Sequence, residues 1–167
     1  MTNEEVVLIK KDRLRYSKNK LSSNLTLLAI ILNAMYFVSI YKSDVGTYYY
    51  TYMIGISIVY NLLFMLIAFL SSEGVKNYKI GYSFVLMALG AGQLFRITII
   101  PMNAKDATIT LGEESRIVML DKQFYYVVGC LIVSAALCII AGIVGVVKTK
   151  TLTSYQEELD NKAKGAS

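Results

Sequence analysis

The chain has 167 residues, of which 55% are apolar and only 17% charged, well short of the roughly 25% charge that a soluble domain of this size carries. Histidine and tryptophan are absent and proline occurs once, so the commonest general base and zinc ligand is missing. No G-x-S-x-G occurs and no apolar block contains Asp or Glu, so no catalytic residue, metal ligand or cofactor-binding residue is expected and an enzyme is excluded. The net charge of +5 sits on residues flanking the apolar blocks, with no basic-aromatic face. A membrane surface is therefore the expected partner and nucleic acid is not.

In chain order, residues 1–20 form a basic segment. It starts with "TNEE", where Thr2 and Glu5 fit a capping box, so a short helix is expected. Four apolar blocks follow, at about Leu21 to Tyr41, Tyr49 to Leu70, Ile80 to Pro101 and Phe124 to Val147. Each is close to the roughly 20 residues that cross a bilayer, and a helix satisfies its backbone within lipid. The first block is longer than a signal-peptide core and no A-x-A site follows it, so it is expected to stay attached. Residues 21–147 are thus read as an all-α integral membrane domain, a four-helix bundle, and residues 148–167 as a tail. In the tail Ser154 and Glu157 suggest a second capping box and one or two helical turns before a frayed end.

Orientation follows from the basic residues. Lys10, Lys11, Arg13, Arg15, Lys18, Lys20, Lys76, Lys79, Lys148, Lys150, Lys162 and Lys164 fall on one side. Lys42, Lys105, Arg116 and Lys122 fall on the other. The positive-inside rule places both termini in the cytoplasm of a plasma-membrane protein. The loop between the third and fourth spans then lies outside. Its alternation through Thr108, Ile109, Thr110 and Leu111, the turn-rich "GEES" and the β-prone run Arg116 to Leu120 predict an extracellular β-hairpin over about 107–120. Asp121 is placed to cap the fourth span.

Small and polar residues recur at helical spacing inside every span: Thr26, Ala29, Asn33 and Tyr36; Tyr50, Ser57 and Asn61; Ala88, Gly92, Gln93 and Arg96; Ser134, Cys138 and Gly142, with Ala141 and Gly145 alongside. Such residues sort helices in lipid, where hydrophobicity does little between them. Arg96, Gln93, Gly92, Asn33, Asn61, Ser57 and Gly142 are accordingly the candidate helix-interface or partner residues. Tyr48, Tyr49, Tyr50 and Tyr52 read as an interfacial aromatic anchor. Cys130 and Cys138, eight residues apart on one helix, would lie about 12 Å apart and are packing residues. "GAGQLF" lacks the third glycine of a nucleotide fingerprint and follows no strand.

Arg96 carries the main question. It lies roughly 7 Å below the outer end of its helix, where it either snorkels to lipid phosphate or outer-end carbonyls or pairs with a carboxylate. Asp44, Asp106 and Asp121 are the acids near that end, Tyr48 to Tyr52 could add hydroxyls, and an acid on another protein is the remaining source. The chain also lacks the mid-membrane ionisable residue or broken, repeated helices of a self-sufficient transporter. The expected role is a non-catalytic accessory subunit of a larger, transporter-type membrane complex, with other membrane subunits as partners. An autonomous small-solute transporter or pore, and an immunity-type protein binding through the outer hairpin, are the alternatives.

Overall fold

Apolar blocks that cannot hydrogen-bond to lipid close their backbones as helices, and short polar stretches join them. The computed structural model describes residues 3–42, 45, 51–111 and 114–165. Helix α1 (Asn3–Tyr16) precedes α2 (Lys20–Tyr41), α3 (Thr51–Lys76), α4 (Ile80–Ile99) and a single turn, α5 (Pro101–Ala104). Strands β1 (Thr108–Leu111) and β2 (Glu114–Ile117) lead into the last helix, α6 (Asp121–Gly165). Among the described residues four helices are long and apolar enough to cross a membrane, and the chain is a largely helical membrane protein. Around the bundle, α2 packs on α3, α3 on α4, α4 on α6, and α6 back on α2.

The α4–α6 contact depends on two glycines. A Cβ at Gly90 would stand 2.6 Å from Ile139 Cγ1 and 2.9 Å from the Ala135 carbonyl oxygen, and one at Gly142 would stand 2.7 Å from the Ser83 carbonyl oxygen. Backbone oxygens cannot move aside as a flexible side-chain end can, so a larger residue would push the helices apart. The α2–α6 contact is held by hydroxyls: Ser134 donates to the Ala29 carbonyl at 3.0 Å and Ser22 to the Ala141 carbonyl. Between α2 and α3, the Ser23 and Ser72 hydroxyls meet at 2.8 Å. Interfaces of this kind suit lipid, where close backbones and short polar bridges replace the hydrophobic effect.

Ends and turns follow from local chemistry. The Asn19 side-chain oxygen accepts from the Ser22 N–H at 3.4 Å, capping α2, while the Asn19 backbone N–H donates to the Lys76 carbonyl at the end of α3 (3.0 Å). Lys148 of α6 donates to the same Asn19 oxygen at 3.1 Å. Past α3, Tyr78 adopts a left-handed φ of 56°, and the Lys79 N–H returns to the Gly74 carbonyl at 3.1 Å; a non-glycine residue there costs of order 1 kcal/mol. Pro101, with no N–H to continue α4, begins α5.

Several expectations are corrected. The fourth helix does not stop near Val147 with a separate capped turn at Ser154. It is one helix of 45 residues, about 67 Å long, because no Gly or Pro interrupts it between Gly145 and Gly165. Thr151 and Thr153 bond back to the carbonyls of Val147 (2.9 Å) and Thr149 (3.1 Å) within its course. The tail is therefore not a frayed end: α1 lies along it, with Lys11 3.7 Å from Glu158 and 5.9 Å from the centre of the Tyr155 ring. Thr2 lies outside the described residues. On α4 the buried face is Ser83, Leu86, Gly90, Gln93 and Arg96, so Ala88 points outward and Gly90 makes the close approach instead.

β1 and β2 pair antiparallel, from Thr108 opposite Ile117 to Leu111 opposite Glu114. β2 starts two residues before the expected β-prone run. Gly112 and Glu113, between the paired ends, are outside the described residues. The base of the pair is fixed. The Val118 N–H donates to the Ala107 carbonyl at 2.9 Å, Lys105 bridges to Met119, and Val118 and Met119 are buried with Tyr36, Ile40, Ile100 and Val127. Asp121 then opens α6, its carboxylate complementing the helix N-terminus. Gln123 ties that end to the Ser39 carbonyl at 2.8 Å.

Candidate functional site

Three helices bring their polar positions to one level beside Arg96. Asn33 comes from α2, Ser57 and Asn61 from α3, Gln93 and Arg96 from α4, and all are buried. Arg96 Nη1 donates to Asn61 Oδ1 at 2.8 Å and to Asn33 Oδ1 at 3.2 Å, and Nη2 reaches Ser57 Oγ at 3.4 Å. Gln93 Nε2 donates to Asn33 Oδ1 at 2.9 Å and Asn33 Nδ2 to Asn61 Oδ1 at 3.2 Å. Asn61 Nδ2 closes on the Ser57 carbonyl at 3.0 Å. Each asparagine oxygen thus accepts two hydrogen bonds, the full use of its two lone pairs. Among the described residues, Gln93 Oε1 is buried without a donor.

Two rings flank the cation. The guanidinium carbon lies 4.2 Å from the Tyr36 ring centre and 5.0 Å from that of Tyr60, each contact worth about 0.5–2 kcal/mol depending on desolvation. With these partners Arg96 is 4% exposed. It does not snorkel, which corrects that expectation, and no carboxylate among the described residues pairs with it. Asp106 and Asp121 are exposed, and Asp44 lies outside the described residues. The physical reason is that two asparagines and two rings at its own depth satisfy the guanidinium without the extension that snorkelling requires.

The other candidates divide. Gly92 lies on α4 beside this cluster; a Cβ there would stand 3.0 Å from the Tyr60 hydroxyl. Gly142 belongs to the α4–α6 contact and not to the Arg96 cluster. Tyr48, Tyr49 and Tyr50 lie outside the described residues, and Tyr52 falls in the first turn of α3. The aromatic partners of Arg96 are Tyr36 and Tyr60. Tyr36 already stood in the polar stripe of the first span, whereas Tyr60 carried no signal beyond its place next to Asn61. Reading spans for small and polar spacing also passed over Ser22, Ser23, Ser72 and Ser83, which lie buried nearer the other end of the bundle.

Beside Arg96 a cavity of about 110 Å³ opens between α3 and α4. Ile56, Ser57 and Tyr60 line one side, and Gly92, Phe95 and Arg96 the other, with Ile99 and Ile100 toward the end of α4. Ile56 is 51% and Phe95 69% exposed, so the rim is apolar and faces out of the bundle. Among the described residues no group of His, Cys, Asp and Glu is placed to hold a metal, and Cys130 and Cys138 are buried free thiols. The arrangement can position and partly desolvate one cation and present it to a small space. No protein-family model, curated protein or solved structure matches this chain.

Proposed function

We propose that the protein is a non-catalytic accessory subunit of a larger, transporter-type complex in the plasma membrane. Both termini are cytoplasmic and the strand pair is extracellular. The orientation is supported by the excess of Lys and Arg on the side of α1, the α3–α4 turn and the end of α6.

One observation carries the subunit reading. The strand pair is anchored at its base by Val118 and Met119, yet Ile117 and Leu120 beside them stay 56% and 64% exposed. Among the described residues the two-stranded sheet also has two open edges. An anchored element that offers apolar side chains and unpaired strand edges favours a covering partner. The same surface favours a second reading, an immunity-type protein that binds a toxin or its receptor there.

Copurification in a gentle detergent, followed by mass spectrometry, tests the proposal. The expected result is a stoichiometric membrane partner that is lost when Ile117 and Leu120 are both replaced by Asp. A sharp monomer or homodimer with no other chain overturns the subunit reading. So does substrate flux through liposomes containing this protein alone.

A further inference from the structure

An arginine placed in a membrane is held by a counter-charge or by dipoles, and the partners of Arg96 are dipoles. Asn33, Asn61 and Ser57 are neutral, and so are the rings of Tyr36 and Tyr60. They fix the guanidinium in place, and among the described residues no carboxylate offsets its positive charge. The low dielectric around it strengthens the pull on any anion that arrives. Guanidinium is also a planar fork of donors that matches carboxylate and phosphate oxygens. Its longest contact, Nη2 to Ser57 Oγ at 3.4 Å, lies on the side where both residues line the cavity.

The cavity suits such an anion and not a water-borne one. Apart from Arg96, Ser57 and the Tyr60 hydroxyl its lining is apolar, and its rim residues Ile56 and Phe95 are exposed on the outer faces of α3 and α4. Gly92 keeps the space beside Tyr60 open. About 110 Å³ accommodates a headgroup, with a hydrocarbon chain left outside against the rim. We infer that this cavity binds the anionic head, carboxylate or phosphate, of a single lipid-like amphiphile. The amphiphile enters between α3 and α4 from the leaflet at the Pro101 end, with Arg96 as its anchor. This goes beyond the subunit reading and does not rest on it.

Native mass spectrometry of the full chain released from phosphatidylcholine nanodiscs tests the inference. The probes are oleate, phosphatidylglycerol, oleyl alcohol and inorganic phosphate. A one-to-one adduct with oleate or phosphatidylglycerol is expected, at least about tenfold tighter than with oleyl alcohol, as one hydrogen bond to a charged group provides. Which of the two binds tells carboxylate from phosphate. Arg96→Gln removes the preference by removing the charge. Gly92→Leu removes it by filling the cavity while the arginine stays, so the test stands even if Arg96→Gln does not fold. Equal binding of oleate, phosphatidylglycerol and oleyl alcohol overturns the inference. So does a preference that survives Gly92→Leu, or inorganic phosphate binding as tightly as the amphiphiles.

Discussion

Replacing Asn61 by leucine removes the oxygen that takes the shortest hydrogen bond from Arg96, 2.8 Å from Nη1, and that also accepts from Asn33 at 3.2 Å. A hydrogen bond to a charged group contributes about 1.5–3 kcal/mol, and a stranded buried donor costs about 1–3 kcal/mol more. Polar contacts between helices in lipid average nearer 0.6 kcal/mol, because separated helices find other partners. Arg96 is such a case, since in a separated helix it can reach the headgroups. The expected net loss for Asn61→Leu is therefore about 2 kcal/mol. Arg96→Leu is expected to cost about as much, about 2 kcal/mol, because it removes three hydrogen bonds and both ring contacts while Asn33 keeps its bonds to Gln93 and Asn61. The double variant leaves no cation to strand and should be less destabilised than the sum, with a coupling of about 1–2 kcal/mol. Reversible unfolding in bicelles, followed by far-ultraviolet circular dichroism, measures all four corners of this cycle. Additivity to within about 0.5 kcal/mol would mean that Arg96 does not depend on Asn61, and the described cluster would be wrong.

The packing makes further predictions. Gly90→Ala puts a methyl 2.9 Å from the Ala135 carbonyl oxygen and should cost about 1–3 kcal/mol in the same assay. Gly55→Ala, with nothing within 4 Å of its Cβ, should be neutral or stabilising by up to about 1 kcal/mol. Cys130 and Cys138, 7% and 0% exposed, should resist a water-soluble maleimide in the folded protein and react fully after denaturation. Rapid labelling of either without denaturant would contradict the bundle packing. Val118→Ala should loosen the base of the strand pair, costing about 1–3 kcal/mol for the two carbons lost from a buried side chain, and should speed proteolysis within residues 105–120. An unchanged cleavage rate would show that Val118 does not hold the pair.

The crossings are legible in the sequence because lipid leaves the backbone no alternative to the helix, so block length and composition suffice. The inward stripes are legible for the same reason. Asn33, Ser57, Asn61, Gln93 and Arg96 differ from their apolar surroundings, and all five are buried together. Their meeting point is not legible, because it depends on the rotation and vertical offset of three helices that the connecting loops leave free. Without that offset Arg96 reads as a residue near a helix end in search of lipid phosphate. With it, the guanidinium finds two asparagines and two rings at its own level. The sequence misplaces Ala88 for a related reason. Small size suited it to an interface, but the buried face of α4 runs through Gly90, two residues on. The length of α6 could have been read, since nothing between Gly145 and Gly165 breaks a helix. The capping box at Ser154 misled because its hydrogen-bonding groups are equally at home inside a continuing helix.

The arrangement of the chain in the membrane is tested most directly by cysteine accessibility. In a background with Cys130 and Cys138 replaced by Ala, single cysteines are placed at the exposed positions Ser17, Ser115 and Ala163, and intact cells are treated with an impermeant maleimide. Ser115→Cys is expected to be labelled at once, and Ser17→Cys and Ala163→Cys to react only after the membrane is permeabilised. Labelling of one terminal position and not the other in intact cells would contradict four crossings, and an unlabelled Ser115→Cys beside two labelled termini would reverse the orientation.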